Sequence, residues 1–448
     1  MTSPSLTSLQ EKDRAHHVHP FTNHSDMHSV GSHVLVKGEG CYVVDANGVR
    51  LLDGLAGLWC VNVGYSCQPI IDAVHQQMQK LPYYPSFFNS TTEPPVRVAE
   101  FLARRAPEGL DHVVFSGSGS EANETALKTI RGYHKIKGNT RKRKILTRTF
   151  AYHGVTLATT SMTGLPSCYE PFDLPLEGFI QVPGPYSYGA KTDLDPESYG
   201  KWCLEQTAKK IREEGADTIA AIFAEPIQGA GGVIVPPSGY LQELRALAKE
   251  NDILFVADEV ITAFGRLGAW YASGLWDLQP DIITVAKGLT SGYLPLGATI
   301  LSADIVDTIH SAGYYAHGFT YTGHPTCAAA ALANLETIES LGLVEKVRDE
   351  TGPIFQAALQ DLASHPAVSE VRGYGLIGAL ELIPAGGREA LTPTTMLGVK
   401  ASALVREEGV IVRGIRDLIA LAPPLIITPA EIKDLFDGVR RGLDRLWK

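Results

Sequence analysis

Between residues 60 and 330, short uninterrupted apolar runs alternate with longer stretches whose apolar positions recur every three or four residues. The first kind reads as strands buried on both faces, the second as amphipathic helices. The strand candidates lie over 112–115, 144–146, 219–224, 253–257, 282–286 and 296–301. The helix candidates lie over 121–136, 199–214 and 240–251. This alternation predicts an α/β fold: a mostly parallel sheet between two layers of helices. Before it, 33–53 alternates polar and apolar positions around Ala46-Asn47-Gly48, the pattern of a hairpin. After Thr326 an alanine-rich helix leads into mixed helices and short strands over 368–374, 377–382, 410–413 and 418–420. The expected division is an arm and hairpin over 1–59, a large domain over 60–330 and a smaller α+β domain over 331–448. The hairpin is expected to join the small domain, and residues 1–30 to form an irregular polar arm.

Composition narrows the class. A chain of 448 residues is too long for one ordinary core. Hydrophobic residues make up 44% and charged residues 20%, as in ordinary globular proteins. The net charge of −10 argues against nucleic acid, which needs a basic face. The one dense basic run, 141–144, reads as a solvated loop. The six cysteines form no CxxC pair, so no zinc or redox motif is present. Their scatter fits a reducing, cytoplasmic setting, with neither a secretory leader nor a membrane span expected. Six histidines fall between His16 and His33, but no carboxylate pattern supports them as ligands, and no metal is expected.

Two charged residues follow buried-strand runs: Asp258 after 253–257 and Lys287 after 282–286. The carboxyl ends of strands are where open α/β sheets bind ligands. Alone, either residue is more often a cap or a solvated loop residue. Together they are the two groups that pyridoxal phosphate chemistry requires: a lysine for the aldehyde and an acid for the ring nitrogen. A strand, a Gly-Ser loop and a helix in HVVFSGSGSEANETALK offer a phosphate site at Gly119 and Ser120. Gly117, Gly119 and Ala122 also match a dinucleotide fingerprint. That reading wants an acid after the next strand, where Thr147-Arg148-Thr149 has none; Arg148 is left as an NADP candidate.

SGSEAN at 118–123, YHG at 152–154, EPIQGAGG at 225–232, DEV at 258–260, AKG at 286–288 and GFTYTGHPTCAAAAL from Gly318 occur in one order along nearly the whole chain. This set resembles the class III pyridoxal-phosphate-dependent aminotransferases of fold type I. AHHVHPFTN, LAGLWCVNVGY and APPL are most similar to the ω-amino acid or amine:pyruvate subgroup. The resemblance implies pyridoxal 5'-phosphate as cofactor and a Schiff base on Lys287. It places Asp258 at the pyridine nitrogen, Val260 and Tyr152 on the two ring faces, Gly119 and Ser120 at the phosphate, and Glu225 on the hydroxyl side. Thr320 is implied to reach the phosphate of the neighbouring subunit, which makes the enzyme a homodimer, or a tetramer, with active sites at the interface.

The resemblance also implies a specificity. In the ornithine and γ-aminobutyrate branch, a glutamate after EPxQG pairs with an active-site arginine; here that position is Ala230. Arg413 is then available to clamp the carboxylate of pyruvate, with Arg416 as its competitor for the role. Phe21, Trp59, Phe87 and Tyr152 are implied to form an aromatic substrate pocket, Phe88 being inseparable from Phe87. The expected activity is that of an ω-aminotransferase moving an amino group from an ω-amino acid, diamine or primary amine to pyruvate, giving alanine. An aminomutase, racemase or decarboxylating transaminase would share Lys287 and Asp258.

Overall fold

A computed structural model describes residues 6–190, 192–392 and 394–447. Its centre is a seven-stranded sheet. In spatial order the strands are Leu110–Ser116, Gly297–Ser302, Ile282–Val285, Leu254–Asp258, Ile219–Ala224, Lys144–Arg148 and Phe179–Val182. The last five pair in parallel, and Gly297–Ser302 runs against both of its neighbours. Ile219–Ala224, the middle of the five parallel strands, is buried at every position, which is why it reads as an apolar run without alternation. Helix Gly119–Ile136 covers one face with Ala122, Ala126, Leu127 and Ile130. Helix Tyr240–Glu250 covers the other with Leu241, Leu244 and Ala248.

Two smaller sheets join the chain ends. The hairpin strands Leu35–Glu39, Tyr42–Asp45 and Arg50–Asp53 continue onto Val410–Ile411, parallel to Arg50–Asp53. Val368–Tyr374, Ile377–Leu382, Leu418–Leu421 and Arg413–Ile415 form an antiparallel sheet. The expected strand over 410–413 is therefore two strands in two sheets. Val412 is the corner between them, buried in the main core.

Two other expectations are corrected. The N-terminal arm is not irregular: it holds helices Leu6–His16 and His24–Val30, the second capped by Asn23. Asp13 Oδ1 accepts from His17 Nδ1 (3.0 Å) and His19 Nε2 (2.8 Å), so a carboxylate does join the histidine cluster. In the basic run, Lys142 is buried against Asp252 rather than solvated, while Arg141 pairs with Asp217. Among the described residues, no single helix is long and apolar enough to cross a membrane.

Candidate active site

The carboxyl ends of the parallel strands converge on one cavity of about 740 Å³. Each parallel strand of the centre delivers something to it. Leu254–Asp258 ends in Asp258; Lys287 follows Ile282–Val285, Tyr152 follows Lys144–Arg148, and Glu225 follows Ile219–Ala224. Leu110–Ser116 leads through Ser118 into helix Gly119–Ile136. Ser118 caps that helix by accepting from Glu121 N, and Glu121 returns the favour by accepting from Gly117 N at 2.6 Å. The first-turn amides of Gly119 and Ser120 have no intrahelical acceptor and face the cavity's end of the helix. A Cβ on Gly119 would come within 3.0 Å of a Val260 methyl, so the loop is already closed down around the space it leaves.

Asp258 is buried and held by three donors. Asn123 Nδ2 and His153 Nδ1 both reach its Oδ2 at 2.7 Å, and Val260 N reaches Oδ1 at 3.1 Å. Thr284 donates to the Asn123 oxygen at 2.8 Å, which fixes that amide's orientation. Among the described residues His153 Nε2 has no partner, so the ring's side-chain hydrogen bonding goes to Asp258 alone. Sequence reasoning did not single out Asn123, His153 or Thr284, although the first two lie inside the SGSEAN and YHG motifs.

Lys287 takes a left-handed backbone, φ 42, at the point where the chain leaves the sheet. Asn334 of helix Pro325–Ser340 pins the next two carbonyls, donating to Gly288 O at 2.8 Å and Leu289 O at 3.0 Å. Burial depresses the Lys287 amine below its ordinary value and Arg413 pushes it the same way, against the pull of Asp258 and Glu225. Its Nζ lies 5.2 Å from the Trp59 ring centre, and the Arg413 guanidinium lies 4.9 Å from the same ring. The amine and the guanidinium thus share one indole. Among the described residues no carboxylate pairs with Arg413, and Ala230 lines the same cavity.

Glu225 is a structural tie. Its oxygens accept from Tyr152 N (2.9 Å) and Gly229 N (3.0 Å), linking the Tyr152 turn to the EPIQGAGG loop. Burial pushes its carboxyl up to about 7. Arg148, the alternative dinucleotide contact, is 1% exposed and donates to Glu225 O, which removes it from any ligand.

Phe21, Trp59, Gly119, Ser120, Tyr152, Glu225, Asp258, Val260, Lys287 and Arg413 therefore meet in one place. Phe87 and Thr320 do not. Phe87 lines a second cavity of about 710 Å³ with Phe88, Tyr314 and Tyr315, and Thr320 O accepts from Tyr83 OH at 2.7 Å. Cys168, Ile261 and Arg416 also line the first cavity.

The donor set suits pyridoxal phosphate on the chain's own features: a half-buried lysine with no ion-pair partner among the described residues, an acid fixed by three donors, and a small-residue helix N-terminus between them. Comparison with known proteins agrees. The model of the class-III aminotransferases matches residues 24–443. The chain is 41% identical to a putrescine–pyruvate aminotransferase of Pseudomonas aeruginosa, over 99% of this chain and 98% of that one. It is 38% identical to a mitochondrial γ-aminobutyrate transaminase of Oryza sativa subsp. japonica, over 97% and 86%. An (S)-enantioselective ω-transaminase of Thermomicrobium roseum superposes with a TM-score of 0.95 at 40% identity, covering 100% of both chains. The ω-transaminase of Pseudomonas jessenii in complex with PMP gives 0.93 at 38%, covering 98% of each. The chain belongs to the class III aminotransferases, and its cofactor is pyridoxal phosphate.

Proposed function

We propose that the enzyme moves an amino group from a primary amine or ω-amino acid to pyruvate, forming alanine. The observation that carries this reading is Arg413: a guanidinium that shares the Trp59 ring with Lys287, in the same cavity, with no carboxylate among the described residues to hold it. An unpaired, partly buried arginine is a fork for a planar carboxylate, and pyruvate brings one. The apolar lining from Phe21, Leu58, Trp59, Leu165 and Ile261 suits the carbon skeleton of an amine donor.

When bound, pyridoxal phosphate supplies the aldehyde that carries the amino group and the ring that takes up an electron pair. The chain's residues do the rest. Gly119 and Ser120 present backbone N–H groups to the phosphate. Asp258, aligned by Asn123 and His153, keeps a proton on a ring nitrogen. Lys287, whose neutral form is favoured by burial and by Arg413, takes the proton from the donor carbon that bears the amine. Tyr152 and Val260 flank the space between them.

We read Thr320 and Phe87 as contributions to a partner subunit's site. Phe88 is 89% exposed, Tyr314 80% and Tyr321 65%, an apolar surface of the sort a second copy covers.

The test is the visible spectrum of the purified enzyme. The absorption of bound cofactor should fade on adding an amine, return on adding pyruvate, and leave one alanine per cycle. If pyruvate fails to restore it, the acceptor and the role of Arg413 are wrong. Cycling without net alanine would point instead to an aminomutase or related reaction.

A further inference from the structure

The active-site cavity carries two arginines, Arg413 and Arg416, beside Lys287 on its lining, and two acids, Glu225 and Asp258. Both acids are engaged by interior donors, so neither is free to meet a substrate cation. Phe87 and Thr320, read above as contributions to a partner subunit's site, bring no carboxylate of their own.

Arg416 stands where its backbone is uncomfortable. Strands Arg413–Ile415 and Leu418–Leu421 pair Ile415 with Leu418, which leaves Arg416 and Asp417 as a two-residue turn. Such turns want a positive φ at the first central position, and glycine is the residue that adopts it without strain. Arg416 adopts φ 50 all the same. Its side chain has little structural employment in return. The guanidinium carbon is 5.6 Å from the Phe150 ring centre, and one Nη reaches Gly231 O at a long 3.4 Å. Among the described residues its other N–H donors have no acceptor, and the exposed side chain lines the cavity. A strained residue whose side chain faces a binding site is a candidate for a binding role.

We propose that Arg416 sets the donor class: it receives an anionic far end of the amine substrate, a carboxylate or sulfonate several methylenes from the amine, and diamines are disfavoured. This rests on the aminotransferase reading above. Arg413, which shares the Trp59 ring with Lys287, serves the short carboxylate of pyruvate; Arg416, three residues on in the chain and set over Phe150, serves the longer reach. A second ammonium on the donor would instead approach two arginines with no acid to offset them. The diamine named for the Pseudomonas aeruginosa relative is thus the disfavoured class here.

Three donors of matched length separate the charges: 5-aminopentanoate, 1-aminopentane and 1,5-diaminopentane, each assayed with the holoenzyme and pyruvate. kcat/KM should fall in that order, by about tenfold or more from the anionic to the cationic end. The spread should narrow as salt screens the exposed guanidinium. Arg416→Gly suits the turn's φ, so its thermal midpoint should equal or exceed that of the parent. It should cut the preference for 5-aminopentanoate over 1-aminopentane about tenfold, through KM rather than kcat. Arg416→Lys should keep part of that preference. Diaminopentane matching or beating 5-aminopentanoate, or an Arg416→Gly ratio equal to the parent's, overturns the proposal while turnover of 1-aminopentane leaves the aminotransferase reading standing. No turnover with any of the three sinks both.

Discussion

Lys287 combines a left-handed backbone with a desolvated amine that has no ion-pair partner among the described residues, and both have measurable consequences. Its folded-state pKa lies below the ordinary 10.5, so between the two values the unfolded chain binds more protons than the folded one. Stability from this group is therefore present above 10.5 and lost as pH falls through the depressed value. In cofactor-free protein, Lys287→Met should be the more stable form near neutrality and should lose that advantage as pH climbs through the window. Urea unfolding of both proteins across the alkaline range checks it; parallel curves would mean the amine is not desolvated. Asp258→Asn should slow turnover roughly a hundredfold or more, because it removes the charge that Asn123 and His153 are arranged to hold. Near-normal turnover would refute the assignment. Lys287 and Asp258 were legible in the sequence because a charged residue ending an apolar run is a local signal. Their support was not. Asn123 lies 135 residues from Asp258 and His153 lies 105, and nothing in a linear pattern pairs them.

At the scale of elements, the central strands and helices were legible within a residue or three, since burial on both faces leaves an unbroken apolar run. The strand over 410–413 was not, because periodicity says nothing about which sheet a residue joins. Val410–Ile411 follows Arg50–Asp53, whereas Arg413–Ile415 follows Leu418–Leu421. That change of partner is what swings Arg413 toward Trp59. The N-terminal helices were missed for a different reason. Neither has a buried residue, so no apolar stripe announces them. Helix Pro325–Ser340 reads from its alanines as a packing element, yet it also clamps the backbone behind Lys287 through Asn334. Asn334→Ala should strand two buried carbonyls, costing about 2–3 kcal/mol. It should also lower kcat by up to about a hundredfold as Lys287 loses its placement. Denaturant titration and steady-state kinetics on one preparation measure the two effects. A stability loss with unchanged kcat would reduce Asn334 to packing alone.

For the whole molecule, we propose the division the sequence suggested: 60–330 as the cofactor domain, with 1–59 and 331–448 together as the small one. The parallel pairing of Val410–Ile411 with Arg50–Asp53, and the shared burial of Leu55, Trp59, Ile377 and Leu418, support joining the two ends. Within one chain, Thr320 and Phe87 sit away from the cavity of Lys287. If they serve a neighbour, each site needs two chains, and two defective chains can repair one another. Lys287→Ala should be inactive. Thr320→Glu, which sets a carboxylate against the phosphate, should bind cofactor weakly and turn over slowly. In a dimer of one of each, the second chain's Lys287 meets the first chain's intact Thr320, and one of the two sites is whole. Random assortment from an equal mixture should then restore about a quarter of parental activity, since half the dimers are mixed and each has one working site. Recovery must appear only after subunit exchange, by dissociation and reassembly, and not on simple mixing. If exchange is demonstrated by mass and no activity returns, Thr320 acts within its own chain or not at all, and the shared-site arrangement is wrong.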